Sequence, residues 1–226
     1  MLSTGENNAT HVKEFKQMSM DFLRYLDTIL LGDCMEVLRA LPDKCFDLLL
    51  TDPLYGGNIC RIGGSWSSKY SKKIKDWDKA PPQEVFNELF RVSKQQIIWG
   101  GNYFELPATR CFNVWRKLSI SEKFSMSMCE YAWTSFNKNA KFWEIAPQDA
   151  ERFHPTQKPV ELFARQLEEY SKPGDLILDP FSGSGTTAIA AHRLGRRFLC
   201  IEKDADYHAA SVKRLAKEKE QLLLKI

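Results

Sequence analysis

No stretch of this chain approaches the roughly 18 to 20 uninterrupted apolar residues that a membrane-crossing helix requires. Its longest apolar runs, such as Phe46 with Leu48 to Leu50, are strand-sized. Residues Met1 to Thr10 lack the basic-then-apolar succession of a secretory signal, so a cytoplasmic location is expected. The six cysteines, Cys34, Cys45, Cys60, Cys111, Cys129 and Cys200, contain no C-x-x-C pair. That excludes a zinc ribbon and a disulfide framework and leaves reduced thiols. No grouping of His, Cys and acidic residues has metal-ligand spacing, so no metal is expected. Repeats and low-complexity tracts are absent. A net charge of +3 is too small to name a polyanionic partner, which leaves the question to charge distribution.

What is present is ordinary globular material: 226 residues, 43% hydrophobic and 27% charged, enough for one domain over residues 1–226. Within residues 1–27, Phe15, Met18, Phe22, Leu23 and Leu26 recur at spacings of three and four and predict an amphipathic helix from His11 to Asp27. Strands are expected at Thr28 to Leu31 and Phe46 to Thr51, with a helix between them from Cys34 to Leu41. A long loop follows over 57–80, then a helix over Pro82 to Val92 and strands at Gln96 to Trp99 and Cys111 to Trp115. Residues 117 to 145 show no strong period. From Pro159 the pattern is helix to Tyr170, strand Leu176 to Leu178, helix Thr186 to Leu194, strand Phe198 to Ile201, and helix from Asp204. This alternation predicts an α/β, doubly wound, mostly parallel sheet with helices on both faces.

The segment Leu176 to Thr187 runs from a buried strand through Gly183 and Gly185 into a helix, where open α/β sheets bind ligands. Glycines there admit close approach of a ligand to the backbone, and a helix N-terminus offers free N–H groups. Glu202 lies 202 − 183 = 19 residues further on, near the separation of about 20 at which an acid can hold ribose hydroxyls. The G-K-[ST] of a phosphate-binding loop is missing, and Ala188 stands where a dinucleotide fingerprint has its third glycine, a substitution that fingerprint sometimes accepts. Asp179 discriminates better: a carboxylate at that strand end repels a pyrophosphate and suits the cationic amino group of a methionine moiety. The expected ligand is S-adenosylmethionine.

Thr51-Asp52-Pro53-Leu54-Tyr55 directly follows another buried strand. An aromatic amino group is a poor nucleophile because its lone pair is delocalised, and it is activated by acceptors that draw both N–H bonds out of the ring plane. Asp52 and the Pro53 carbonyl can be those acceptors, and Tyr55 can stack on a base face.

Three motifs in order carry a resemblance: Asp52-Pro53-Leu54-Tyr55, His154-Pro155-Thr156-Gln157-Lys158-Pro159, and Phe181-Ser182-Gly183-Ser184-Gly185. Together they resemble the DNA amino-methyltransferases of permuted motif order, the beta class. The resemblance implies a Rossmann-like methyltransferase fold and N6-adenine chemistry, since an aspartate-led tetrapeptide is typical of the adenine enzymes. It implies catalytic roles for Asp52, Pro53 and Tyr55. It implies cofactor contacts from Asp33, near the adenine; from Thr156 and Lys158, at the methionine end; and from Asp179, Phe181, Gly183, Ser184, Gly185, Thr186 and Glu202. Leu54 departs from the family's second proline, which loosens the loop without removing an acceptor. The alternatives are an N4-cytosine enzyme or a weakly catalytic DNA-binding subunit of the same fold.

DNA is the expected partner, and the loop after the tetrapeptide supports it. Arg61, Lys69, Lys72, Lys73 and Lys75 occur there without an acidic residue up to Lys75, interleaved with Trp66 and Tyr70. Such a loop can neutralise phosphates and flank an extruded base. Only about residues 117–153 are available for target recognition, so specificity is short, relaxed, or shared with a partner subunit or a second copy.

Overall fold

The computed structural model describes residues 22–56, 79–123, 127–147, 153–154 and 156–223. Its strands are β1 (Thr28–Leu31), β2 (Phe46–Thr51), β3 (Ser93–Trp99), β4 (Phe112–Lys117), β5 (Cys129–Thr134), β6 (Lys141–Ile145), β7 (Leu176–Asp179) and β8 (Arg197–Glu202). They form one sheet in the order β1-β8-β7-β2-β3-β5-β4-β6. The pairs β1/β8, β8/β7, β7/β2, β2/β3 and β4/β6 are parallel, and β5 runs antiparallel to both β3 and β4. The helices are α1 (Cys34–Ala40), α2 (Gln83–Val92), α3 (Val160–Tyr170), α4 (Thr186–Arg193) and α5 (Ala205–Leu223).

Strand side chains alternate between faces, so the inner strands divide their apolar residues between two cores. Leu48, Leu50, Ile97, Trp99, Ile177, Phe198 and Cys200 pack with Leu162, Phe163 and Leu167 of α3, Ile189 of α4 and Leu215 of α5. Leu49, Ile98, Leu178, Leu199 and Ile201 pack with Val37 and Leu38 of α1 and Val85, Phe86 and Leu89 of α2. Burial on both faces explains why β2 reads FDLLLT without alternation. No helix among the described residues is long and apolar enough to cross a membrane.

Two features differ from the sequence expectation. The described end of the predicted N-terminal helix, Phe22–Tyr25, is a 3-10 turn and not α-helix; the remainder of that helix lies outside the described residues. Within 117–153, β5 and β6 belong to the central sheet. KFWEI was illegible as a strand because β6 is an edge strand with exposed Phe142, so its polar and apolar residues do not sort by face, and CEYAWT because only Ala132 to Thr134 of the interior strand β5 are buried.

Connections leave β7 toward β8 on one side and β2 toward β3 on the other, so the boundary between β2 and β7 is the switch point at which open α/β sheets form a crevice. The segments following β1, β2, β7 and β8 all lie along that carboxyl edge.

Candidate active site

The turn after β7 is held from inside. The Asp179 carboxylate accepts from Thr51 Oγ1 (2.7 Å), the Phe181 amide (3.1 Å) and Thr187 Oγ1. Its burial pushes the carboxyl up to about 6, those three donors notwithstanding. Gly183 and Gly185 both adopt positive φ, +50° and +75°. A Cβ on Gly185 would sit 3.2 Å from Ile29 and Ser211, so glycine there serves the packing of α4 on β1 and α5. Glu202, at the end of β8, accepts from the Gly183 amide (2.7 Å) and the Asp204 amide (2.8 Å). Burial still raises its carboxyl above the ordinary value. Asp33 caps α1 by accepting from the Met35 amide (2.9 Å) and pairs with Lys203 (2.8 Å). Partial burial opposes its ionisation, but the Lys203 and Met35 bonds hold it below the usual range.

The tetrapeptide after β2 is equally constrained. Asp52 Oδ1 accepts from the Tyr55 hydroxyl (2.6 Å), and Oδ2 pairs with Lys158. The Tyr55 ring lies against Tyr103 with centroids 4.8 Å apart and planes 18° apart, and meets the edge of Phe104. Burial drives the Tyr55 hydroxyl well above its usual pKa, and the Asp52 charge adds to that. Lys158 is not a surface lysine. It is 6% exposed, and its ammonium sits between Asp52 and Glu130 of β5, 3.0 Å from the latter. Burial disfavours that charge, but the two carboxylates outweigh it and hold Lys158 well above the ordinary lysine value. Burial likewise opposes ionisation of Glu130, and Lys158 and Lys117 together overcome it, holding Glu130 down to about 2.

One cavity of about 700 Å³ joins the two loops. Of the residues singled out in the sequence, Asp33, Asp52, Thr156, Lys158, Asp179, Phe181, Gly183, Ser184, Thr186 and Glu202 line it, whereas Pro53, Tyr55 and Gly185 do not. Pro53 is buried, and Tyr55 is linked to the cavity through its bond to Asp52. Arg61, Trp66, Lys69, Tyr70, Lys72 and Lys73, with the rest of residues 57–78, lie outside the described residues, as does Pro155. Sequence reasoning gave His154 no role beyond its motif and missed Tyr207; the two rings meet at 4.3 Å on the cavity wall, which Asp204, Lys203 and Val85, missed as well, also line. It missed Glu130 and Tyr103 as well. Asp204 was findable, two residues past Glu202; Glu130 carries no local signal.

A parallel-centred α/β sheet whose switch-point crevice joins a glycine turn to an acidic tetrapeptide defines the methyltransferase fold class. The family model described as DNA methylase (N6_N4_Mtase) matches residues 108–213. The chain is 30% identical over 207 residues to "Putative methylase YubD" of Escherichia coli (strain K12), covering 82% of this chain and 88% of that protein. It is 27% identical over 249 residues to type II methyltransferase M.HinfI of Haemophilus influenzae, covering 84% and 68%. Among solved structures, the M1.HpyAVI–SAM complex shares the fold with a TM-score of 0.57 at 22% identity, over 83% of this chain and 98% of that one. The chain belongs to the N6/N4 DNA methylase family.

Proposed function

We propose that this protein transfers a methyl group from S-adenosylmethionine to the N6 amino group of an adenine in DNA, and that its motif order is that of the beta class. The observation that carries the reading is the joining of Asp52 to the glycine turn within one cavity. The aspartate that leads the tetrapeptide favours adenine over cytosine as acceptor.

The lining suits the donor. Asp33, Asp52, Asp179, Glu202 and Asp204 face Lys79, Lys158 and Lys203, of which Lys158 and Lys203 are already paired to Asp52 and Asp33. A site with this excess of acid accommodates a ligand bearing ammonium and sulfonium charges and opposes a pyrophosphate. Asp33 and Glu202 would hold the adenosyl part, and the turn from Asp179 to Thr186 the methionine part. When bound, the donor supplies a methyl carbon open to attack by a nitrogen lone pair, its sulfur departing with the bonding electrons.

The protein's own groups do the rest by orientation and hydrogen bonding. Asp52, on the cavity wall, accepts one amino N–H bond and frees the lone pair, and the backbone carbonyl of the buried Pro53 beside it would accept the second. Tyr55 fixes the Asp52 carboxylate through Oδ1. The proton shed by the methylated nitrogen passes to Asp52 or to water. The basic and aromatic segment from Arg61 to Lys73 provides phosphate contacts and a wall for the extruded base. Incubation with isotopically labelled S-adenosylmethionine and unmethylated genomic DNA, followed by nucleoside mass spectrometry, tests the reading. Labelled N6-methyldeoxyadenosine is expected; N4-methyldeoxycytidine overturns the choice of base, and no labelled nucleoside overturns the activity.

A further inference from the structure

Four side chains from four separate segments form an alternating line of charge that begins on β4 and ends in the tetrapeptide. Lys117 Nζ lies 2.6 Å from Glu130 Oε1, Glu130 Oε2 lies 3.0 Å from Lys158 Nζ, and Lys158 pairs with Asp52. Lys117 and Lys158 are 7% and 6% exposed at their side chains, Glu130 and Asp52 22% and 14%. The formal sum is zero, so the line is neutral as a unit, yet no member is neutralised by a single exclusive partner.

Lys158 is fixed by more than its carboxylates. Its ammonium also lies over the rings of Trp99 and Tyr55, at 5.8 and 6.0 Å from their centroids. An ammonium held by two acids and flanked by two aromatic rings has little freedom to swing toward a ligand. Glu130 is absent from the cavity wall, so contact with a bound donor does not account for it. Its connection with the cavity runs through Lys158 to Asp52.

We propose that Lys158 is the positioning residue for the acceptor carboxylate, keeping Asp52 ionised and aimed, and that Glu130, steadied by Lys117, shares the same ammonium and sets how strongly it acts on Asp52. The inference rests on the reading of Asp52 as the acceptor of the amino N–H. An ionised carboxylate accepts through both oxygens, and the single contact on each from Tyr55 and Lys158 leaves lone pairs for the substrate. A protonated Asp52 would present a donor to an amino group that itself must donate.

The groups facing Asp52 give the two positions opposite effects. Burial raises the Asp52 carboxyl above its ordinary value; against it, Lys158 favours the ionised form, as does the hydrogen bond from Tyr55, while Glu130 opposes it by like charge. Asp179, on the adjacent strand β7, is a further like charge. Removing the ammonium therefore raises the pH at which Asp52 ionises, and removing the Glu130 charge lowers it. An opposite charge at this range moves a carboxyl by about one to three pH units.

The test is carboxyl carbon NMR titration of the protein labelled in aspartate, with the Asp52 signal assigned by its loss in Asp52→Asn, beside the pH dependence of methyl transfer and calorimetric binding of S-adenosylmethionine. In Lys158→Met the Asp52 midpoint and the acid limb of turnover move up together by at least one pH unit. Turnover then falls about 10-fold below the new midpoint and recovers at higher pH, while Lys158→Arg returns both toward wild type. In Glu130→Gln both move down. An unmoved Asp52 midpoint in Lys158→Met, or a loss lying wholly in donor affinity with a fixed acid limb, overturns the proposal. If Lys158→Met does not fold, an unmoved midpoint in Glu130→Gln overturns it equally. The titration needs no substrate, so a wild-type protein inactive on DNA sinks the methyl-transfer reading while the charge line is still decided.

Discussion

Gly100 offers the most direct test of how the tetrapeptide is supported. It sits between β3 and a 3-10 turn at Gly101–Tyr103, with φ +68°, and its amide donates to the Tyr131 carbonyl at 2.8 Å. A Cβ placed on it would lie 2.0 Å from Tyr55 Cε1 and 2.5 Å from Cδ1 and Cζ. Backbone strain from alanine in this left-handed conformation costs about 1–2 kcal/mol. Because the clash is with a ring wedged against Tyr103, relief requires Tyr55 to leave. Its aromatic stacking is worth about 0.5–1.5 kcal/mol, and its bond to the Asp52 carboxylate about 1.5–3 kcal/mol. Gly100→Ala should thus destabilise by roughly 3–6.5 kcal/mol by these figures. Gly174→Ala is the control: φ is +86°, but no atom lies within 4 Å of the added Cβ, so only the strain is lost. Denaturant unfolding of both variants, paired with methyl-transfer assays, separates the two contributions. Gly174→Ala should lose about 1–2 kcal/mol and keep wild-type turnover, whereas Gly100→Ala should lose the larger amount and most of its turnover. Equal stabilities, with turnover retained in Gly100→Ala, would refute the claim that Tyr55 is held in place by the bare backbone beneath it.

Three further outcomes are expected. Asp52→Ala should reduce methyl transfer by about 100-fold or more while leaving calorimetric binding of S-adenosylmethionine near wild type; a fully active variant contradicts the catalytic assignment. Asp179 ionises near 6 in the folded protein against an ordinary 3.8, so between those values the folded state keeps a proton that the unfolded chain has released. This group's contribution to stability should accordingly decline as pH rises from about 4 to about 6, by roughly 3 kcal/mol in all, and Asp179→Asn should flatten that part of the stability curve measured by urea unfolding. Lys117→Met removes the 2.6 Å partner of Glu130; breaking a buried pair costs about 3–5 kcal/mol, and because Glu130 retains Lys158 the loss should fall near the lower figure. Guanidinium unfolding with an unchanged midpoint would show that the pair carries no stability.

Much of the fold was legible because its inner strands β2, β3, β7 and β8 are buried on both faces and alternate with amphipathic helices. The FDLLLT run, the glycine turn after Leu176 to Asp179 and the helix from Val160 each declared themselves locally. β5 and β6 did not. Their pairing with β3 and β4 is a long-range event, and an edge strand with one open side carries no period strong enough to read. The family resemblance implies for Lys158 only a contact with the methionine end of the donor. The residues that make it buried, Asp52 and Glu130, lie 106 and 28 positions away along the chain, so nothing near it announces a second role.

The sequence by itself determined the alternating α/β order, the tetrapeptide at the end of β2 and the placement of a glycine turn and an acid at the ends of β7 and β8. These depend on backbone propensity and on side-chain spacing within single elements. Only the tertiary structure decided that the two loops share one cavity, that Tyr55 is seated over Gly100, and that Lys117, Glu130 and Lys158 lead to Asp52. Each of these depends on charges or surfaces from different strands meeting where water is excluded. Coulombic and steric interactions of that kind act through space, and the chain order that encodes them leaves no local trace.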